Sequence, residues 1–212
     1  MEPFTRLTAV AAPLLRDNID TDAIIPSREM RSVGKTGLAD GLFAGWRYLA
    51  IGGRTPDPEF VLNQPPYMGA RILLTGANMG CGSSREHAAW ALAEYGFRAI
   101  VAPSFNSIFH GNCVRNGIVP VVLPPDIVAA LAEAIKPDPQ ALHLTVDLPA
   151  QQVISPMGES FDFAIVAEAK AMLIGGLDAI DLTLQRQAAI SDFIASDRAT
   201  RGWAYAPVEG PR

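Results

Sequence analysis

The sequence is poor in cysteine, with only Cys81 and Cys113 among 212 residues. Two thiols are too few for a disulfide framework, and the default setting is a reducing compartment, the cytoplasm. They are also too few to hold an iron–sulfur cluster, which usually takes about three or four thiolates. The charge excess is small: 17 Lys and Arg against 22 Asp and Glu leave a net charge of -5, with the cations scattered. No basic patch points to a nucleic-acid partner. No apolar run approaches the length of a membrane span. The opening Met1-Glu2-Pro3 lacks the basic and apolar segments of a secretory leader, so none is expected. What is plentiful is apolar: 49% of residues are hydrophobic and 18% charged. That balance, over this length, describes a globular chain able to bury a real core.

One stretch concentrates the chemistry: Gly76-Ala77-Asn78-Met79-Gly80-Cys81-Gly82-Ser83-Ser84-Arg85-Glu86-His87. The apolar run Ala70 to Leu74 leads into it. Ala88, Ala91, Leu92 and Tyr95 follow at helical spacing, so the unit reads as strand, glycine-rich loop and helix. Small residues let the backbone come close to a ligand, and a helix N-terminus favours negative charge. Two hydroxyls and a guanidinium there suit a small carboxylate or phosphate. The same residues also fit a capping box, Ser83 covering an amide and Glu86 reaching back. Capping leaves Ser84, Arg85 and the three glycines without a reason. A P-loop is excluded because Gly82, not lysine, precedes Ser83. The dinucleotide fingerprint lacks its third glycine, and Ser83 is not followed by the x-Gly of a hydrolase elbow.

Along the chain, Phe4 to Leu15 reads as one or two strands. The block Arg16 to Pro26 holds Asp17, Asn18, Asp20 and Asp22 and reads as a turn whose side chains bond back to the backbone. Asp20-x-Asp22 resembles the opening of a calcium loop, but the glycine and terminal glutamate of such a loop are missing. Ser27 to Gly45 is expected to be a long, mobile surface segment. Its cations Arg28, Arg31 and Lys35 either decorate a solvated face or ride on a flap that meets an anionic substrate. Arg98–Ala102 is a strand, Ser104 is placed to cap a second helix, and Asn116-Gly117 stops it. Ile118–Leu123 is a strand that Pro120 assigns to an edge or strand end. The strand–helix alternation from Ala70 to Leu123 gives an α/β fold with a parallel sheet. Ligands of such sheets bind beyond the carboxyl ends of the strands. A helix over Asp126–Lys136, β structure over 142–166 and helices over 167–173 and 179–194 complete the reading. The tail from Thr200 either frays or docks on a partner.

Three blocks carry a resemblance: Asn18 to Pro26; Gly80-Cys81-Gly82-Ser83-Ser84-Arg85-Glu86-His87-Ala88; and Ala102-Pro103-Ser104-Phe105 through Asn112 to Asn116-Gly117-Ile118-Val119-Pro120. Phe60-Val61-Leu62-Asn63-Gln64-Pro65 adds to them. Together they resemble the small subunits of 3-isopropylmalate dehydratase, in the aconitase superfamily. The resemblance implies a single swivelling β/β/α domain over residues 1–199, a flap at about 27–45 and a tail at 200–212. It implies the isomerisation of 2-isopropylmalate to 3-isopropylmalate by dehydration and rehydration, in leucine biosynthesis. It further implies a heterodimer with a large subunit that carries the 4Fe–4S cluster.

Residue by residue, the resemblance makes Ser83 the base that takes a carbon-bound proton. Ser84 and Arg85 hold a substrate carboxylate, with Arg31 and Lys35 of the flap as further substrate-binding residues. Asp22, Thr21 and His87 support them. The residue types suit the chemistry, since a guanidinium binds a carboxylate through two parallel bonds. A serine anion needs strong stabilisation by cations and helix amides. Bacterial members usually carry arginine before the flap's Thr-Gly; here Lys35 precedes Thr36-Gly37, keeping the charge but not the fork. The residues leave open a related hydro-lyase acting on homoaconitate, citraconate or dimethylmaleate. A non-catalytic carboxylate-binding module and a Ser83–His87 hydrolase also remain. Cys81 reads as a small loop residue and Cys113 as core.

Overall fold

The computed structural model describes residues 1–30 and 34–205. Arg31, one of the expected substrate ligands, lies outside the described residues. Among the described residues the strands form two four-stranded sheets. β1 (Arg6–Ala9) and β2 (Ala11–Leu14) are separated only by Val10, yet they join different sheets. The single apolar run at the start of the chain is therefore two strands.

The parallel sheet has the order β2, β3 (Ile72–Thr75), β4 (Ala99–Ala102), β5 (Val119–Val122). Its register sets Leu73 between Ala12 and Ile100, and Ile100 beside Pro120. β5 is an edge strand, as Pro120 requires, because proline cannot donate to a neighbour on both sides. Both faces of this sheet are covered, which is why β3 and β4 have no exposed residue and are apolar apart from the buried Thr75. On one face Leu73 and Ile100 meet Leu92 of α3 (Glu86–Tyr95) and Phe109 and Cys113 of α4 (Ser107–Arg115). On the other, Ile72, Leu74 and Val101 meet Val128 and Leu131 of α5 (Pro125–Ile135).

That second core continues into the antiparallel sheet, ordered β1, β6 (Leu144–Asp147), β7 (Gln152–Ile154), β8 (Ser160–Asp162). Leu144, Val146 and Val153 face inward. The expected β structure stops at Asp162, short of Val166. α6 (Ala167–Gly175) packs Met172 and Leu173 on this core. The helix expected over 179–194 is two, α7 (Ala179–Leu184) and α8 (Gln187–Thr200). Asp178 and Asp181 form a capping box at the start of α7. Tyr205 folds back on α8, its hydroxyl donating to Asp197 at 2.6 Å.

Two short helices, α1 (Thr21–Ile24) and α2 (Ala44–Arg47), lie in the long connection from β2 to β3. The segment expected to be all surface is not: Leu38, Leu42 and Phe43 are fully buried against α1 and α3. Its polar composition hid a short apolar anchor. The carboxylate of Glu94 on α3 reinforces that anchor, accepting the backbone N–H groups of Gly37, Leu38 and Ala39 at 2.6, 2.5 and 2.9 Å.

Candidate active site

The loop that leaves β3 does not fold away from the sheet. It runs on between its two neighbours. On one side Gly80 N–H donates to Ile19 O at 2.7 Å, Asn18 N–H to Ala77 O at 2.8 Å and Thr21 N–H to Cys81 O at 3.1 Å. On the other, Met79 N–H donates to Ser104 O at 3.0 Å and Asn106 N–H to Met79 O at 2.9 Å. Side chains complete the pairing: Ala77 N–H donates to Asp17 Oδ1 and Asn78 N–H to Ser104 Oγ. Three loops at the carboxyl ends of β2, β3 and β4 thus form one rigid crest, where ligands of parallel sheets bind.

Glycine is required at Gly80. Its φ is +76°, and a Cβ there would stand 2.0 Å from the ring of Phe109. The backbone can then turn so that the two serines point opposite ways. Ser84 also takes a left-handed conformation, φ 46°, which costs a non-glycine residue energy unless neighbours hold it. They do. The Ser84 hydroxyl is buried, facing Gly80 O at 3.0 Å and Asn106 Oδ1 at 2.7 Å. Its carbonyl accepts from Asn112 Nδ2 at 2.8 Å. Asn106 is the N-cap of α4, accepting from the amides of Ile108 and Phe109. It displaces Ser104 from the capping role expected for it; Ser104 ties down Asn78 instead.

Ser83, by contrast, is exposed, and its Oγ lies 3.4 Å from the buried Oγ1 of Thr21. Arg85 follows, with Nη1 donating to Asp22 Oδ1 at 2.5 Å and to Ser27 Oγ at 2.9 Å. The Arg85 side chain remains about a third exposed, so part of the guanidinium faces solvent. The capping box between Ser83 and Glu86 does not form. α3 begins only at Glu86, Arg85 is its N-cap, and no side chain caps it. Neither serine is spent on the helix; Ser84 holds the loop and Ser83 is left free. The calcium reading also falls, because Asp20 accepts from Ala23 N–H at 2.6 Å and Asp22 is paired with Arg85.

Lys35 reaches this neighbourhood from the flap without joining the serines. Its Nζ donates to Asn116 Oδ1 at 3.3 Å and sits 5.4 Å from the centre of the Trp90 ring. Asn116 in turn donates to Glu86 Oε1 at 3.1 Å and to Asn112 O at 2.9 Å. His87 packs on the other partner of Lys35, with ring centres 4.6 Å apart from Trp90. Among the described bonds none joins His87 to Ser83, so the geometry does not make a Ser–His pair.

The crest therefore gathers Thr21, Asp22, Ser83, Ser84 and Arg85, while His87 and Lys35 stand beside it. Sequence reading gave no site role to Ser27 or Asn106, and quoted Asn112 and Asn116 only as part of the third block and as a helix stop. Asn106 was findable, because asparagine caps helices as well as serine does. Ser27 carried no local signal, since its role appears only when Arg85 folds onto it. Cys113 is core, and burial pushes its thiol well above the usual cysteine range. Among the described residues no three His, Cys, Asp or Glu side chains group as metal ligands. The donors on the crest, hydroxyls and a guanidinium already paired with a carboxylate, suit an organic acid and do not fit an iron–sulfur cluster.

Comparison with known proteins gives the family at two levels. The family model described as "Aconitase C-terminal domain" matches residues 1–126, which contain the whole crest, and "LeuD_N" matches residues 129–167. The family match, over more than half of the chain, places it in the aconitase class. Two curated relatives bear the name 3-isopropylmalate dehydratase small subunit. One, from Cupriavidus necator, is 60% identical over 97% of this chain and 99% of its own length. The other, from Dechloromonas aromatica, is 46% identical over 97% and 100%. The chain belongs to the family of 3-isopropylmalate dehydratase small subunits. A solved structure of 3-isopropylmalate dehydratase (leuD) from Methanocaldococcus jannaschii shares the fold, with a TM-score of 0.64. It is 23% identical and covers 88% of this chain and 98% of its own.

Proposed function

We propose that this chain works as the small subunit of a hydro-lyase that interconverts 2-isopropylmalate and 3-isopropylmalate, in the cytoplasm, and that it is active only when paired with a large subunit. The observation that carries the reading is the division between the two serines. One is locked into the scaffold, and the other is exposed beside a fixed arginine.

Ser83 is the base. It removes the proton from the carbon next to a substrate carboxylate, and hydroxide leaves the neighbouring carbon, giving the unsaturated diacid. Water then adds with the opposite orientation, and Ser83 returns the proton. Arg85 holds the carboxylate, where negative charge grows as the proton leaves. Arg85 and the side-chain-free start of α3 also favour the serine anion, which water alone would not. Thr21 orients the Ser83 hydroxyl. A 4Fe–4S cluster on the large subunit would supply the Lewis acidity for hydroxide departure. Ser84 serves through its backbone conformation, and Lys35 and Arg31 meet the substrate from the flap.

The exposed face of Ser83 and Arg85 supports the need for a partner: a base on an open surface has no wall to exclude water. Mixing the purified chain with a cluster-loaded large subunit should produce absorbance of the unsaturated acid from 2-isopropylmalate, with neither chain active alone. Turnover by the isolated chain would overturn this reading. Running citraconate, dimethylmaleate and homoaconitate in the same assay decides which acid Lys35 favours.

A further inference from the structure

The guanidinium of Arg85 has five N–H bonds to give, and the structure shows where two of them go. Both hydrogens of Nη1 are engaged, one by Asp22 Oδ1 at 2.5 Å and one by Ser27 Oγ at 2.9 Å. Ser27 in turn donates to the same Asp22 oxygen at 3.4 Å, closing a triangle. With Nη1 occupied, the end-on edge of the guanidinium, formed by Nη1 and Nη2, cannot take a carboxylate through two bonds. The side-on edge, formed by Nε and Nη2, can. We propose that Ser27 is a positioning residue: together with Asp22 it fixes the rotation of the Arg85 guanidinium so that the Nε–Nη2 edge meets the substrate carboxylate.

The fold makes Ser27 fit for this. It follows Pro26, whose ring fixes φ at -60°, and Ile24 and Ile25, which are fully buried. It opens a tight turn closed by Met30 N–H on Ser27 O at 3.2 Å. The next anchor, Glu29, is buried and bonded to Arg54 at 2.5 Å. Ser27 is thus a fixed point at the root of the flap, an exposed residue whose hydroxyl contacts both Arg85 and Asp22. Asp22 alone would leave the guanidinium free to pivot about a single ion pair. A second acceptor on the same nitrogen removes that freedom, and a fixed fork loses less on binding than a mobile one.

The inference rests on the reading of Arg85 as the carboxylate ligand, and the test separates the two. In the reconstituted two-subunit enzyme, Ser27→Ala should raise KM for 2-isopropylmalate about fivefold with kcat within about twofold, the pattern of lost binding common to ground and transition states. Ser27→Thr, which keeps the acceptor, should restore KM. Independently of turnover, 15N NMR of the Arg85 side chain in the isolated subunit should show separate Nη1 and Nη2 signals in the native protein. In Ser27→Ala they should merge as the guanidinium rotates freely. Native KM in Ser27→Ala, or signals that stay separate, overturns the proposal. Arg85→Lys with an unchanged KM would instead remove Arg85 as the carboxylate ligand, while the NMR result still reports on the clamp.

Discussion

The hydroxyl of Thr21 stands 3.4 Å from that of Ser83, and the two residues sit 62 positions apart in the chain. Thr21 is held on both sides: its amide bonds Cys81 O, and its carbonyl accepts from Ile25 N–H. A buried group fixed in this way can orient an exposed hydroxyl without moving itself. Thr21→Val keeps the shape and removes the hydroxyl. In the reconstituted enzyme it should lower kcat about tenfold, the worth of one hydrogen bond, with KM little changed. Thr21→Ser should keep near-native kcat, and a native kcat in the valine variant would remove Thr21 from the mechanism.

Ser84→Ala tests the opposite role. Its hydroxyl points inward, to Gly80 O and Asn106 Oδ1. Losing it should cost about 1–3 kcal/mol of stability, because the one hydroxyl proton shared between Gly80 O and Asn106 Oδ1 is a buried donor that nothing replaces. Urea unfolding measures this. Substrate KM in the assembled enzyme should stay within about twofold. A large rise in KM with native stability would return Ser84 to the substrate.

The glycines of the loop are not equivalent. Gly80→Ala forces a Cβ into the Phe109 ring, against a positive φ, and should cost about 3 kcal/mol or more. Gly82 also has a positive φ, 78°, but the nearest atom to its added Cβ is Asp20 Cβ at 3.5 Å. Gly82→Ala should therefore cost only about 1 kcal/mol, the conformational term alone. Thermal unfolding of the pair checks the order; equal losses would contradict the packing argument.

Much of this architecture could be read from residue types. Alternating apolar runs and helical spacings between Ala70 and Leu123 gave the parallel sheet, and Pro120 gave its edge. The Gly80-to-His87 block located the crest. What could not be read was the direction of each serine. Ser-x-x-Glu looks the same whether or not it caps a helix, and only the left-handed turn at Ser84 delays α3 until Glu86. Leu38, Leu42 and Phe43 sit among glycines and charges, so their burial depends on α1 and α3 closing over them. The pairing of Ser27 with Arg85 spans 58 residues and leaves no local trace.

The flap anchor gives a pH prediction. Partial burial raises the pKa of Glu94, and the three amide donors from Gly37, Leu38 and Ala39 lower it by more, so it lies below the ordinary glutamate value. A carboxyl with a lower pKa folded than unfolded stabilises the fold above its unfolded pKa. That contribution fades as pH falls through the folded value. Glu94→Gln should cost about 1 kcal/mol near pH 7, the exposed carboxylate being partly screened by water. The difference in Tm between native and variant should shrink as pH drops below about 4. A gap that holds constant to low pH would contradict it.

The most direct test of the account is Ser83→Ala in the reconstituted two-subunit enzyme, with turnover and substrate binding measured on the same sample. Ser83 is exposed and bonded only to Thr21 among the described contacts, so the variant should fold and assemble normally. The account predicts that kcat falls by about a thousandfold or more, as expected for loss of a base, while 2-isopropylmalate still binds with near-native affinity. Turnover at the native rate in Ser83→Ala would contradict it.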